Sequence, residues 1–261
     1  MRDLLSTPVR IASLVPSATE LLCALGLRPW LVARTGFCIH PREQVADLPK
    51  VGGTKDVNLA RLLALQPSHV VLNVDENLRE LADALRQQAP QTELIVTHPC
   101  GPEDVPALIR QLSTPFAAQH GVGARAEALQ ADLSQALVET PSTATRSVLY
   151  LIWRQPWMTV ARDTYIARLL AHAGWRTEPA VEGGASGAAR YPELAADAPL
   201  WRLVNEVWLS SEPYRFGEAH LAEVQTLAPQ ARVRLVDGEL CSWWGARTAA
   251  GLRYLRALQA P

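Results

Sequence analysis

Hydrophobic and polar positions follow two alternating rhythms along most of this chain. Val9 to Val15 (VRIASLV) is a short apolar run of buried-strand character, followed by a helical stretch in which Ser17 and Glu20 have capping-box spacing and Gly26 supplies a stop. Trp30 to Arg34 reads as a short strand, Asn58 to Leu65 as a helix, and His69 to Val74 (HVVLNV) as a strand. Helix Glu76 to Gln88, strand Glu93 to His98 and helix Pro102 to Leu112 continue the series. Strands alternating with helical patterns predict βαβ units and a parallel sheet.

The rhythm breaks at Pro115. From there to about Glu139, Val122, Ala126, Leu129, Leu133 and Leu137 fall on one helical stripe, with Gly121 and Gly123 near its start. About 20 helical residues extend about 30 Å, the width of a small domain. After Pro141 the alternation resumes: strand Ser147 to Trp153, helix Thr164 to Ala173, strand Glu206 to Leu209, helix Gly217 to Leu227, strand Val233 to Val236, and helix Ala246 to Leu258. The expected fold is α/β, with two Rossmann-like lobes of mostly parallel sheet joined by a single long spanning α-helix. The expected boundaries are 1–113, 114–141 and 142–261.

Composition narrows the function classes. A formal charge of −1 over 261 residues argues against nucleic-acid or anionic-membrane partners, and no apolar run approaches a membrane span. The opening MRDLLSTPVRIASLVPSATE lacks the form of a signal peptide, because Pro16 splits its one apolar run. As written the chain is expected in the cytoplasm, or in the periplasm if a leader has been removed. Cys23, Cys38, Cys100 and Cys241 have no paired spacing, so free thiols are expected.

In open α/β sheets ligands bind beyond the carboxyl ends of the strands. The loops in those positions are PSATE, GFCIHP, VGGTKD, NVDEN and THPCG in the first half, then WRQPW, SSEPYRFGE and DGELCSWWGAR in the second. Trp153, Trp157, Trp243 and Trp244, half of the eight tryptophans, fall in just two of these loops, with Tyr214 and Phe216 in another. Rings concentrated in loops, rather than inside elements, predict a recognition surface for a flat ligand. Arg154 and Lys55 are the cations expected to meet its carboxylate, amide or phosphate groups.

Catalytic signatures are absent: there is no G-x-S-x-G, H-E-x-x-H or G-x-G-x-x-G, and GGTK (Gly52 to Lys55) lacks P-loop spacing. Cys38, His40, His98 and Cys100 are a candidate transition-metal set only if their loops converge. Glu212, Asp237 and Glu239 are the acid–base residues an enzymatic alternative would use.

SLVPSATELLCALG, the stretch LPKVGGTKDVNLARLLALQPSHVVLN with its N-L-x-R-[IL]-x-A-L-x-P block, and the strand–long helix–strand layout resemble the helical-backbone (class III) substrate-binding proteins of ABC importers for vitamin B12, haem and iron–siderophores. The cobalamin-binding branch is the closest, and the resemblance runs from about Val9 to Leu258. It implies a non-enzymatic receptor without a resident cofactor, holding a metal chelate, foremost a corrinoid, in an inter-lobe cleft and serving ABC-type uptake. Haem, a ferric siderophore, a transition-metal ion, or a cytoplasmic corrinoid-handling enzyme or chaperone are the alternatives. Carried over residue by residue, the ligand-facing set includes Ser17, Phe37, His40, Thr54, Lys55, Trp153, Arg154, Trp157, Arg190, Tyr191, Asp237, Trp243 and Trp244. The chain departs from the family where Thr54 and Lys55 replace an aromatic. It departs again at permease docking, where Asp197 keeps the acidic residue of one lobe but Ala60 replaces that of the other.

Overall fold

A computed structural model of the chain describes residues 8–138 and 146–259. The expected helix end at Glu139, the break at Pro141 and the 141/142 boundary lie outside the described residues. The chain forms two compact units, Met1–His98 with Pro106–Gln130 and Pro99–Val105 with Ala131–Pro261. This division departs from the expected 1–113, 114–141 and 142–261, because residues 99–105 go with the second unit and the long helix has residues in both.

The first unit contains β1 (Ile11–Ser13), α1 (Pro16–Ala24), β2 (Leu31–Arg34), α2 (Arg42–Val45), α3 (Leu59–Ala64), β3 (His69–Asn73), α4 (Arg79–Gln88) and β4 (Glu93–Thr97). α5 (Val105–Ser113) follows, and then α6 (Val122–Val138), whose latter half belongs to the second unit. The four strands pair in parallel in the order β2-β1-β3-β4. The apolar runs of the sequence become its core, with Leu14, Val51, Leu62, Val70, Leu72 and Leu85 packed in one cluster. Removal of this apolar area from water is the main stabilising term, at about 25 cal/mol per Å².

Helix ends follow local chemistry, with one correction. α1 starts two residues earlier than the capping-box reading requires: Pro16 occupies its first position and Val15 is the N-cap, without a side-chain cap. Ser17 is therefore inside the helix and buried, and its expected capping role is overturned. At the other end Gly26 has φ of +80°, and Gly26 N–H and Leu27 N–H donate to the Cys23 and Leu22 carbonyls, a Schellman stop. Asn58 caps α3 by accepting from Arg61 N–H at 2.9 Å. In α6 the stripe is as the periodicity predicts, with Val122, Ala126 and Leu133 buried and Leu129 and Leu137 half-buried.

The second unit contains β5 (Arg146–Leu151), β6 (Trp157–Met158), α7 (Tyr165–His172), β7 (Trp175–Glu178), β8 (Glu193–Leu194), β9 (Glu206–Ser210), α8 (Leu221–Leu227), β10 (Arg232–Val236), α9 (Gly238–Ser242) and α10 (Thr248–Ala257). Its main sheet is parallel in the order β10-β9-β5-β7, and β6 pairs with β8 as a small antiparallel ribbon. The core gathers Leu149, Leu151, Val207, Leu209, Val224 and the ring of Trp201. At the amino end of β9, Glu206 is only 3% exposed, and Arg234 engages it in a bidentate ion pair while Trp208 Nε1–H donates at 2.6 Å. That pairing satisfies a charge which, left alone in the core, would cost several kcal/mol.

Strands β6, β7 and β8 and helices α2 and α9 are additions to the predicted elements. The fold class stands as expected, two mostly parallel sheets with helices between successive strands.

Candidate functional site

Parallel pairing puts every strand's carboxyl end at one edge of its sheet. In the first unit strand order reverses between β1 and β3, and in the second between β5 and β9. Those reversals are where α/β sheets open a crevice.

In the first unit the loop after β2 turns Cys38 inward and Phe37 outward. Cys38 Sγ lies 3.1 Å from Thr35 Oγ1 and is fully buried, and burial pushes its thiol pKa up. Phe37 is 60% exposed. A Cβ on Gly53 would come within 3.2 Å of the Phe37 ring, so that ring lies close to the GGTK turn. Gly52, at φ +113°, closes the turn where a side chain would collide with the Asp56 carbonyl. Lys55 Nζ donates to the Asp75 carbonyl at 2.6 Å. Asn77, buried, donates to the Leu14 and Thr54 carbonyls at 3.3 and 2.9 Å, so one amide clasps three of the loops together. The sequence reading gave Asn77 no role, because an asparagine in a polar loop carries no signal until its two carbonyl partners are known. His40 is half-buried, Thr54 is half-buried and Lys55 is exposed.

His98 Nε2 lies 3.6 Å from Asp75 Oδ2. Among the described residues no three His, Cys, Asp or Glu side chains cluster closely enough to hold a metal ion. Cys38, His40, His98 and Cys100, a candidate set only if their loops converged, form no such cluster, and the inward turn of Cys38 is one physical reason.

The WRQPW stretch of the second unit is a tight hairpin. Ile152 N–H donates to the Met158 carbonyl and Met158 N–H to the Trp153 carbonyl, at 2.9 and 3.1 Å. Its two tryptophans have opposite fates. Trp157 is 9% exposed and packs among Trp201, edge-on at 5.7 Å, and Phe216, stacked at 6.3 Å. Trp153 is 40% exposed and meets Tyr214 edge-on at 5.6 Å. Tyr214 sits on the loop after β9, and its N–H donates to the Ile152 carbonyl at 3.2 Å, which stitches the two loops at the reversal.

The remaining expected side chains are largely committed within their unit. Arg154 forms a forked pair with the Glu223 carboxylate at 2.9 to 3.2 Å, and that contact raises the guanidinium pKa further. Trp243 and Trp244 are buried; Trp243 Nε1–H donates to Glu212 Oε1 at 2.7 Å and lies beneath Arg247. Arg190 is 1% exposed and donates to the Gly184 carbonyl at 2.7 Å, next to Asp163. Burial pushes Asp163 up, but the N–H groups of Gly183 and Gly184, with Arg190, hold it below the usual carboxylate range. Asp237 caps α9 through Leu240 N–H, and Tyr191 is half-buried. The aromatic faces expected of Trp157 and Trp243 are buried within the unit, as is the ring of Trp244, and Arg154, expected to meet a ligand's polar groups, is engaged by Glu223. Asp197 and Ala60 are both exposed.

The acid–base alternative finds its three carboxylates engaged. Burial raises the Glu212 pKa against donors from Ser242 Oγ and Trp243; Glu239 pairs with Arg247 at 2.7 Å; Asp237 is the helix cap. A separate groove of about 690 Å³ in the first unit is lined by His69, Glu93, Arg110 and Gln111. His69 and Glu93 begin β3 and β4, so the groove lies at the opposite end of those strands from the aromatic loops.

Two open parallel sheets, each bearing polar and aromatic loops at its carboxyl edge, define a ligand-binding α/β protein. The chain belongs to the periplasmic binding protein family, which matches residues 11–191. It is similar to the vitamin B12-binding protein of Vibrio campbellii (strain ATCC BAA-1116), 28% identical over 194 residues, covering 74% of this chain and 67% of that one. Its fold is similar to that of the periplasmic heme-binding protein RhuT from Roseiflexus sp. RS-1 in apo form, with TM-score 0.77 and 21% identity over 96% of this chain and 97% of that one. It is also similar in fold to the periplasmic vitamin B12-binding protein BtuF of Vibrio cholerae, with TM-score 0.73 and 19% identity over 97% and 98%.

Proposed function

We propose that the chain is a non-enzymatic receptor for a flat metal chelate, a corrinoid first, delivering it to an ABC-type permease from the periplasmic side. The observation that carries the ligand class is the division of labour at the second unit's edge. Trp153 keeps ring surface available beside half-buried Tyr214, while the cations Arg154 and Arg247 are already matched by Glu223 and Glu239. A surface of rings with Arg154 and Arg247 already matched, and Arg215 left exposed between Tyr214 and Phe216, suits a large ring whose periphery carries mostly neutral amides, as a corrinoid's does. The first unit's own edge bears an exposed ring, Phe37, and a point charge, Lys55.

Haem is the second reading, favoured by Lys55. Its ammonium donates to a backbone carbonyl, so its charge can serve a propionate. Exposed Asp197 is the docking carboxylate under either reading.

The test is direct. The protein is incubated separately with cyanocobalamin and with hemin, desalted, and its visible spectrum recorded. Retention of the corrin bands at about one per chain supports the corrinoid reading, and a retained Soret band alone moves the assignment to haem. Retention of neither chromophore overturns the proposal.

A further inference from the structure

We infer that Glu223, on α8 and outside every loop that bears an aromatic, is a positioning residue for ligand capture: its carboxylate braces the WRQPW hairpin through Arg154 and so sets the open face of Trp153. The inference rests on the binding reading above.

The two legs of the hairpin are anchored unequally. The returning leg is fixed by Trp157, whose indole is seated among Trp201 and Phe216 in the core. The outgoing leg ends in Trp153, which has one edge-on ring contact and a large exposed fraction. Between the legs the turn runs through exposed Gln155 and Pro156, and Gln155 has φ of +63°, a conformation L side chains rarely adopt. Arg154 is the side chain that anchors this turn to another element. Its Nε and Nη2 grip both carboxylate oxygens of a residue 69 positions later in the chain, and its guanidinium lies 6.0 Å from the Trp157 ring centroid. The guanidinium also adjoins the Tyr214 phenol, so the same fork borders the ring that Trp153 packs against.

The exposure of the pair decides what it is for. Side chains 27% and 40% exposed make a weak contribution to global stability, since water and salt screen them. A planar fork on a carboxylate nevertheless fixes direction as well as distance. The pair is therefore a poor source of stability and a good source of orientation, and what it orients is the adjacent indole.

The experiment uses Glu223→Ala, a substitution an α-helix tolerates well, and the charge-swapped double variant Arg154→Glu with Glu223→Arg. Three quantities are measured on the full chain: Tm, amide hydrogen exchange in the peptide covering residues 152–158, and Kd for whichever of cyanocobalamin or hemin the parent protein retains. For Glu223→Ala the expectation is a Tm within about 3 °C of the parent, exchange in the hairpin at least fivefold faster, and Kd about tenfold weaker. The swapped pair is expected to recover Kd to within threefold. Unchanged exchange in Glu223→Ala overturns the brace. Faster exchange with unchanged Kd overturns its role in capture, and a Tm loss above about 8 °C makes Glu223 a fold residue instead. A parent that retains neither chromophore sinks the binding reading, and the exchange measurement still decides the brace.

Discussion

Trp157 and Trp153 are four residues apart on one hairpin, and truncating each to alanine separates packing from recognition. Trp157 is 9% exposed and touches two further rings, so Trp157→Ala opens a large hole in the second unit's core. Trp-to-Ala changes in well-packed cores cost about 3–5 kcal/mol. At about 2–4 °C per kcal/mol for a chain of this size, Tm should fall by roughly 6–20 °C. Trp153 is 40% exposed with a single edge-on partner, so Trp153→Ala forfeits an aromatic contact of about 0.5–1.5 kcal/mol and less burial than Trp157→Ala. Its Tm should fall by about 6 °C or less. Binding reverses the order. Loss of the open indole face should weaken chromophore binding about tenfold, which is about 1.4 kcal/mol. Trp157→Phe, which keeps a ring in the core, should bind within threefold of the parent. Calorimetric melting curves and equilibrium titration with the retained chromophore provide the readouts. A Trp157→Ala protein that melts with the parent but no longer binds would refute the packing argument and make Trp157 a ligand face.

Glu212 predicts a pH effect of definite sign. Burial raises its pKa above the ordinary glutamate value of 4.5, so the fold favours the protonated carboxyl, and that contribution is lost as pH rises through the raised value. Glu212→Gln should match the parent in urea melts at pH 4 and be more stable than it at pH 8; a variant less stable than the parent at pH 8 would mean Ser242 and Trp243 require the charge. Thiol chemistry gives an independent check on burial. Cys23 and Cys241, pushed up to about 11 and about 12, and Cys38, also raised, should be protected from a disulfide reagent at pH 8, leaving half-buried Cys100 as the one fast thiol of the native chain. Cys100→Ser should abolish the fast phase, and a fast thiol that survives it would mean that one of the buried three opens.

Much of the fold was readable because periodicity reports burial, and burial decides which elements form. The stripe on α6, the apolar runs that became β1, β3, β5 and β9, and the Gly26 stop are one-dimensional signals with one structural outcome. The misses were elements without such a signal. β6 and β8 are two residues each, and their ribbon exists only because distant segments meet. The capping box failed because Pro16, with φ preset for a helix, out-competed Ser17 for the start. The site was less legible than the fold. Position in a loop singled out Trp153 and Trp157 alike, but it could not tell an indole facing water from one facing the core. Trp153 and Trp157 carry the same local signal, and their difference lies in Trp201 and Phe216, forty-four and fifty-nine residues beyond Trp157.

The same distinction governs the charges, and it bears on the ligand. A sequence displays every arginine in a loop as an available cation, whereas the fold spends most of them. Arg154 is matched by Glu223, Arg247 by Glu239, and Arg190 is buried next to Asp163. An anionic ligand approaching the second unit's edge would have to compete with carboxylates already held at hydrogen-bonding distance, and each displaced carboxylate would need solvating again. A ligand with a neutral, amide-bearing rim displaces none of them and gains the ring contacts of Trp153 and Tyr214. Charge that is visible in a sequence but neutralised in the fold thus leaves Arg215, exposed between Tyr214 and Phe216, as the cation this edge still offers a carboxylate. Arg215 and Lys55 are therefore the cations whose removal should weaken hemin binding more than cyanocobalamin binding.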